Sequence, residues 1–172
     1  MRTELFQPTV EGEARLLLLI ERFSRGDDAL EGRTKLAKLD FFLRYPAHFE
    51  QAMRIRHPQV SQTLTSSSSL DVETAMVRYR YGPWDPSYFA LLGCLIGKEL
   101  IVVVPIKKGT GYRATDRGRE VAERLRNESA WQEVAARVDR LKKHLDLSGT
   151  TLKKFIYDNF PEVSQAVWGQ TL

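Results

Sequence analysis

The sequence predicts an α+β fold, mostly helical, in which a winged-helix-like module with a β-hairpin wing precedes a C-terminal helical arm. Three observations predict it. Apolar residues recur at helical spacing, as at Leu36, Leu39, Phe42 and Leu43. The β-branched run Leu100 to Ile106 meets a glycine-bearing turn, Lys107-Lys108-Gly109-Thr110-Gly111, and then Tyr112, Arg113 and Ala114, which together read as a hairpin. Two helical stretches, Ser87 to Gly97 and Arg117 to Arg126, frame that hairpin. With 172 residues, 42% of them hydrophobic, the chain can bury a contiguous core without disulfides or metals. We expect the winged-helix-like domain over residues 1–126, with a Ser-rich loop at 59–69, and a helical partner-docking arm over 127–172.

Taken in order, Glu13 to Phe23 is rich in Leu and Arg and stops at the loop formers Ser24-Arg25-Gly26-Asp27-Asp28. Gly32 opens a second helix that runs to Tyr45, where Pro46 disfavours α geometry in the residue before it. Ala47 to Arg56 reads as a third helix offering Phe49, Met53 and Ile55 to the core, ended by Pro58. Gln59 to Ser69 is polar, with Ser66 to Ser69 in succession, and reads as a linker or loop. Val77, Tyr79 and Tyr81 alternate with Arg78 and Arg80, the period of a strand, although a short helix after Asp71 stays open. Gly82 to Pro86 is turn chemistry, with Asp85 as cap and Pro86 at the first helical position of Ser87 to Gly97. Asp116 is placed to cap Arg117 to Arg126. Ser129 and Gln132 have capping-box spacing ahead of Trp131, Val134, Val138, Leu141 and Leu145, which step by three and four. A last helix from Thr151 carries Leu152, Phe155, Ile156 and Phe160 and stops at Pro161.

No catalytic, cofactor or metal signature emerges. Gly93-Cys94-Leu95-Ile96-Gly97-Lys98-Glu99 has three residues between its glycines where a phosphate loop needs four, and Glu99 stands where the magnesium-holding hydroxyl belongs. Close packing at Gly93 and a helix cap at Gly97 explain the glycines better. His48, His57 and His144 fall in different segments, away from any ligand spacing. Cys94, the single cysteine, sits among Leu91, Leu92, Leu95 and Ile96, which marks a core thiol kept protonated. Asp85 and Glu99 would be the only carboxylate pair to consider, and a cap and a surface charge explain them. One cysteine, an N-terminus unlike a signal peptide and no apolar stretch of membrane-spanning length lead us to expect a cytoplasmic protein without membrane contact.

Charge is more informative. The net +4 is uneven: four basic and seven acidic residues precede Gly32, whereas Gly32 to Leu70 has six and two and Asp71 to Arg126 has ten and seven. Lys107, Lys108 and Arg113 cluster at the hairpin, and Arg33, Lys35 and Lys38 at a helix start; each set suits either phosphate contact or simple solvation. The helix before the hairpin, which would enter a major groove, offers Tyr88, Phe89, Leu91, Leu92, Leu95 and Ile96 rather than Arg, Asn or Gln. Any DNA contact is therefore expected to ignore sequence. Trp131, Val134, Val138, Leu141, Leu145, Phe155, Phe160 and Trp168 form an apolar surplus that either packs back on the domain or docks on another subunit.

Four stretches extend the reading: Gly32-Arg33-Thr34-Lys35-Leu36-Ala37-Lys38-Leu39-Asp40-Phe41-Phe42-Leu43-Arg44-Tyr45-Pro46, Val77-Arg78-Tyr79-Arg80-Tyr81-Gly82-Pro83-Trp84-Asp85-Pro86, Tyr112 to Glu120, and Leu152 to Glu162. Together they resemble the small middle component of three-component, ABC/SMC-type (Lamassu-like) bacterial defence systems. The resemblance implies a non-catalytic accessory subunit that bridges an SMC-like ATPase subunit, which engages DNA, and an effector, often a nuclease, during phage or plasmid attack. It supplies no catalytic residue. A free-standing winged-helix transcriptional regulator is the alternative.

Overall fold

The computed structural model describes residues 6–59 and 76–172, so the Ser-rich loop expected at 59–69, and the helix left open after Asp71, fall outside the described residues from 60 on. The chain is α+β and mostly helical, with two small antiparallel hairpins among the described residues. In order come α1 (Val10–Phe23), α2 (Gly32–Arg44), α3 (Pro46–Arg56), β1 (Val77–Tyr79), β2 (Gly82–Trp84), α4 (Tyr88–Gly97), β3 (Ile101–Ile106), β4 (Gly109–Ala114), α5 (Asp116–Asn127), α6 (Gln132–Leu145), α7 (Gly149–Asn159) and α8 (Pro161–Gln165). No helix among the described residues is long and apolar enough to cross a membrane.

Helix α1 is central because its sequence leaves it no solvent face. Leu16 to Ile20 are five successive apolar residues, each at most 1% exposed, and a helix apolar all round must be surrounded. It is: α2, α4, α5, α6 and β4 all pack on it. Thr9 starts it, its hydroxyl accepting from the Gly12 amide at 2.9 Å. Helix α2 lies beside it, burying Leu36, Leu39, Phe41, Phe42 and Leu43. Each such side chain contributes about 1.5–3 kcal/mol when fully buried.

The hairpin pairs Ile101 with Ala114 and Ile106 with Gly109, leaving Lys107 and Lys108 as a two-residue turn. Gly109 follows at φ +102, a conformation glycine adopts without strain. Leu30 and Tyr112 exchange both backbone bonds at 2.9 Å, which ties β4 to the chain just before α2. The smaller hairpin, β1 with β2, is extended by the chain's end: Arg78 N–H donates to Gln170 O, and Leu172 N–H to Met76 O, both at 2.8 Å.

Several local expectations are corrected. Gly82 to Trp84 is a strand, and α4 begins at Tyr88, two residues after Pro86, with the Asp85 side chain still accepting the Ser87 N–H at 2.7 Å ahead of it. Thr115, not Asp116, caps α5, its hydroxyl accepting from Gly118 N–H at 2.9 Å. The capping box is absent, since Trp131 precedes α6 without a side-chain cap. Pro161 begins a further helix instead of only ending one, because the first turn has no use for its missing N–H. Ile55 is exposed, Cys94 is half-buried, and nothing among the described residues packs against Gly93. The left-handed residue after α4 is Glu99, at φ +57, not Gly97.

The largest correction concerns the arm. Helices α6 to α8 share one apolar cluster with α1 and α2. Val134, Val138, Leu141, Leu145 and Phe160 are buried there, and Trp131 and Phe155 pack against it half-buried. The five buried side chains have no surface left for a second subunit, and Trp131 and Phe155 keep only part of theirs. Of the eight residues expected to dock a partner, Trp168 remains, 65% exposed.

Candidate phosphate-binding groove

A groove of about 1070 Å³ opens where the hairpin turn faces the starts of α2 and α7. Five of the six cations singled out in the sequence line it: Arg33, Lys38, Lys107, Lys108 and Arg113, joined by Lys153. Against these six stand three acids, Asp27, Asp28 and Glu31. Folding therefore concentrates on one wall what the sequence scatters over residues 27–153.

The two helix starts adjoin each other. A Cβ placed on Gly149 would lie 3.7 Å from Thr34 Oγ1 and 4.0 Å from Lys35 N, so the first turns of α7 and α2 are in contact. Neither has an acid in its first turn. Ser148 caps α7 through Thr151 N–H at 3.1 Å, whereas α2 has no side-chain cap at all. Uncapped amides at a helix start carry partial positive charge and attract anions.

The cations differ in what they are free to do. Lys107 and Lys108 are exposed at the turn. Arg33 is exposed and lies 4.4 Å over the Phe89 ring. Arg113 is partly occupied, donating to the carbonyls of Asp28 at 3.1 Å and Asp27 at 2.7 Å. Lys35 is corrected outright: it is buried and paired with Asp146 at 2.8 Å, which removes it from phosphate contact.

Lys38 is the unusual member. It is 2% exposed, and its ammonium donates to Thr34 O of its own helix at 3.2 Å. Among the described residues no carboxylate pairs with it or with Lys153. Burial, and then the like charge of Lys153, hold the Lys38 ammonium down to about 8, where a neighbouring carboxylate would have held it up. Lys153 in turn lies 5.6 Å over the Tyr81 ring and 5.4 Å over that of Tyr157.

Lys38 is aimed by a polar network on the opposite side of α2. Asp40, fully buried, receives Arg15 Nε from α1 at 2.6 Å and the Tyr88 hydroxyl from α4 at 2.7 Å. Arg44 Nη1 reaches Asp40 Oδ2 at 3.6 Å and Asp85 Oδ2 at 2.6 Å. Asp85 also accepts from Ser87 N–H at 2.7 Å and Ser87 Oγ–H at 2.6 Å. Two arginines and two aspartates balance in charge, and α1, α2, α4 and the end of β2 are fixed in one register. Asp85 is thus a partner of Arg44, while Glu99 is exposed at the far end of α4 beside Arg117 at 3.8 Å; the two carboxylates do not form a pair.

Sequence reasoning missed Lys153, Tyr81 and the start of α7 as parts of the groove. The Ser148-Gly149-Thr150 cap signature was the available signal, since a capped helix start is also an amide site. His57 and His144, assigned to separate segments, have ring centroids 3.9 Å apart, yet no group of three or more His, Cys, Asp and Glu among the described residues could hold a metal. Beside β1, Val167 and Trp168 protrude on a turn closed by Gln170, whose N–H donates to Val167 O and whose Oε1 accepts from Val167 N–H, both at 2.9 Å. Compared with family models, curated proteins and solved structures, the chain matches none.

Proposed function

We propose that this chain is a non-catalytic accessory subunit that grips a nucleic-acid backbone in the groove between the hairpin turn and the starts of α2 and α7. The observation that carries the reading is the pair Lys38 and Lys153, two cations of one groove that no carboxylate among the described residues pairs with, beside two helix starts. Placing like charges together costs free energy that a bound anion offsets, and a polyanion meets several of the groove's cations at once. The order α4, β3, β4, α5 is read as the winged-helix part, with Lys107 and Lys108 as its wing.

The resemblance of four stretches leads to a more specific assignment: the middle component of a Lamassu-like complex, bridging an SMC-like ATPase and an effector nuclease. In this reading Val167 and Trp168 are the docking knob, a protruding aromatic of the kind that anchors interfaces. A sequence-reading regulator fits less well, because the outward positions of α4 are Phe89, Ala90, Gly93, Ile96 and Gly97, none of which reads a base edge.

Titration of duplex DNA across a salt series tests the groove. Binding should be indifferent to sequence and fall steeply with salt, and Lys107→Ala with Lys108→Ala should reduce the slope of log K against log salt by about 2. An unchanged slope removes the wing from the reading. Co-purification with an SMC-type ATPase expressed from the native operon tests the assignment: Trp168→Ala should abolish it, and a wild-type chain that ignores such an ATPase counts against the complex.

A further inference from the structure

Lys38 sits too deep for a surface that only meets a duplex. Duplex phosphates lie on the outside of a stiff cylinder, which would rest on Lys107, Lys108 and Arg33 at the rim. Lys38, 2% exposed as a residue, lines the floor and is reached only by a chain that enters the groove. The volume, about 1070 Å³, is that of a large ligand cleft and holds a strand rather than a double helix.

The wall beside the floor has what a strand needs. Tyr81, on the turn between β1 and β2, is 44% exposed and lines the groove. Its ring lies 5.6 Å from Lys153 Nζ, so a phosphate held between Lys38 and Lys153 would bring its neighbouring base over Tyr81. Cations interleaved with exposed aromatic rings are the means by which proteins hold single strands without reading their sequence.

From this geometry we infer that the groove floor takes an internal phosphate of single-stranded nucleic acid between Lys38, Lys153 and the starts of α2 and α7, with an adjacent base stacked on Tyr81. The inference rests on the groove being a phosphate-contact surface and goes beyond it by naming the strand. Lys38 is then the groove's discriminator: the rim accepts any polyanion, and the floor accepts one that can bend into it.

Fluorescence anisotropy tests this with single-stranded and duplex oligonucleotides of equal length, free of terminal phosphates, at one fixed salt concentration. Wild type should bind the single strand about tenfold more tightly. Lys38→Met should weaken the single strand more than the duplex and so remove that preference, and Tyr81→Ala should weaken the single strand by about tenfold. The melting temperature of Lys38→Met serves as the folding control. It should equal or exceed wild type, because a buried charge without a counter-charge is lost, and a merely structural lysine would show the opposite. Equal affinity for both forms, or equal weakening of both by Lys38→Met, overturns the assignment while leaving duplex binding at the rim intact. Inorganic phosphate that raises the melting temperature of wild type but not of Lys38→Met, with no single-strand preference, would make the floor a free-phosphate site and also overturn it. A wild type that binds neither form would instead remove the nucleic-acid reading itself.

Discussion

Replacing Asp40 by alanine should be among the most damaging single changes available, although the residue touches no surface. Arg15 uses Asp40 as its carboxylate partner at 2.6 Å, Tyr88 donates to it at 2.7 Å, and Arg44 lies at 3.6 Å. Alanine leaves Arg15, 3% exposed, as a buried cation without a counter-charge and Tyr88 without an acceptor, while Arg44 keeps Asp85. Removing one partner of a buried pair costs about 3–5 kcal/mol. Native domains are stable by about 5–15 kcal/mol, so roughly a fifth of the total or more is at stake. At about 2–4 °C per kcal/mol for a chain of this size, the melting temperature should fall by roughly 6–20 °C. Urea unfolding measures it, with Lys154→Ala as control, because Lys154 and Asp158 pair at 2.6 Å on the exposed face of α7 and such pairs contribute about 0–1 kcal/mol. The acid limb gives a second measure. Burial alone would raise the Asp40 carboxyl, but Arg15 and Arg44 override it and hold it below its ordinary value. Its stabilisation is therefore present above about pH 4, the unfolded value, and is lost as acid protonates it through the lower folded value. In Asp40→Ala that part of the acid limb should flatten. A loss within 1 kcal/mol of the Lys154→Ala control would refute the view that this network holds α1, α2 and α4 together.

Gly118→Ala should destabilise by about 2–3 kcal/mol in urea melts, despite the helix preference for alanine, because its Cβ would lie 1.9 Å from Leu100 O, a carbonyl already accepting from Thr115 N–H. Glu99→Gly should raise stability by roughly 0.5–1 kcal/mol, since φ +57 strains a side chain there and the exposed contact with Arg117 contributes little; an unchanged midpoint would remove strain from the account. Burial, then His57 and the nearby Lys143, Arg140 and Arg56, lower the His144 imidazole below its ordinary value. Stability should thus be complete above about pH 6.5 and fall as pH drops below it. His57→Asn should shallow that fall, measured as melting temperature between pH 7.5 and 5.5.

What the sequence discloses depends on how far its physical cause reaches along the chain. Helix periodicity and the Lys107-Lys108-Gly109 turn are settled within a few residues, and the helices and β3–β4 hairpin stand close to where the pattern placed them. Caps are also local, yet they shift by a residue or two when neighbours compete: Thr115 outranks Asp116 because its hydroxyl reaches Gly118 N–H. Lys35 and Lys38 look alike in sequence, three residues apart on one helix face. Asp146, 111 residues away, decides between them by pairing with the first and leaving the second without a counter-charge. The seam from Trp131 to Leu145 has the same ambiguity on a larger scale, because steps of three and four describe equally a helix that meets its own domain and one that meets a partner. Only the packing of α6 on α1 and α2 resolves it, and it resolves it inward. The groove follows the same logic: its rim was legible in clustered lysines, whereas its floor depends on α7 lying against α2, and that contact places Lys153 beside Lys38. A cation that the fold buries, does not neutralise and surrounds with helix starts costs stability in the free protein.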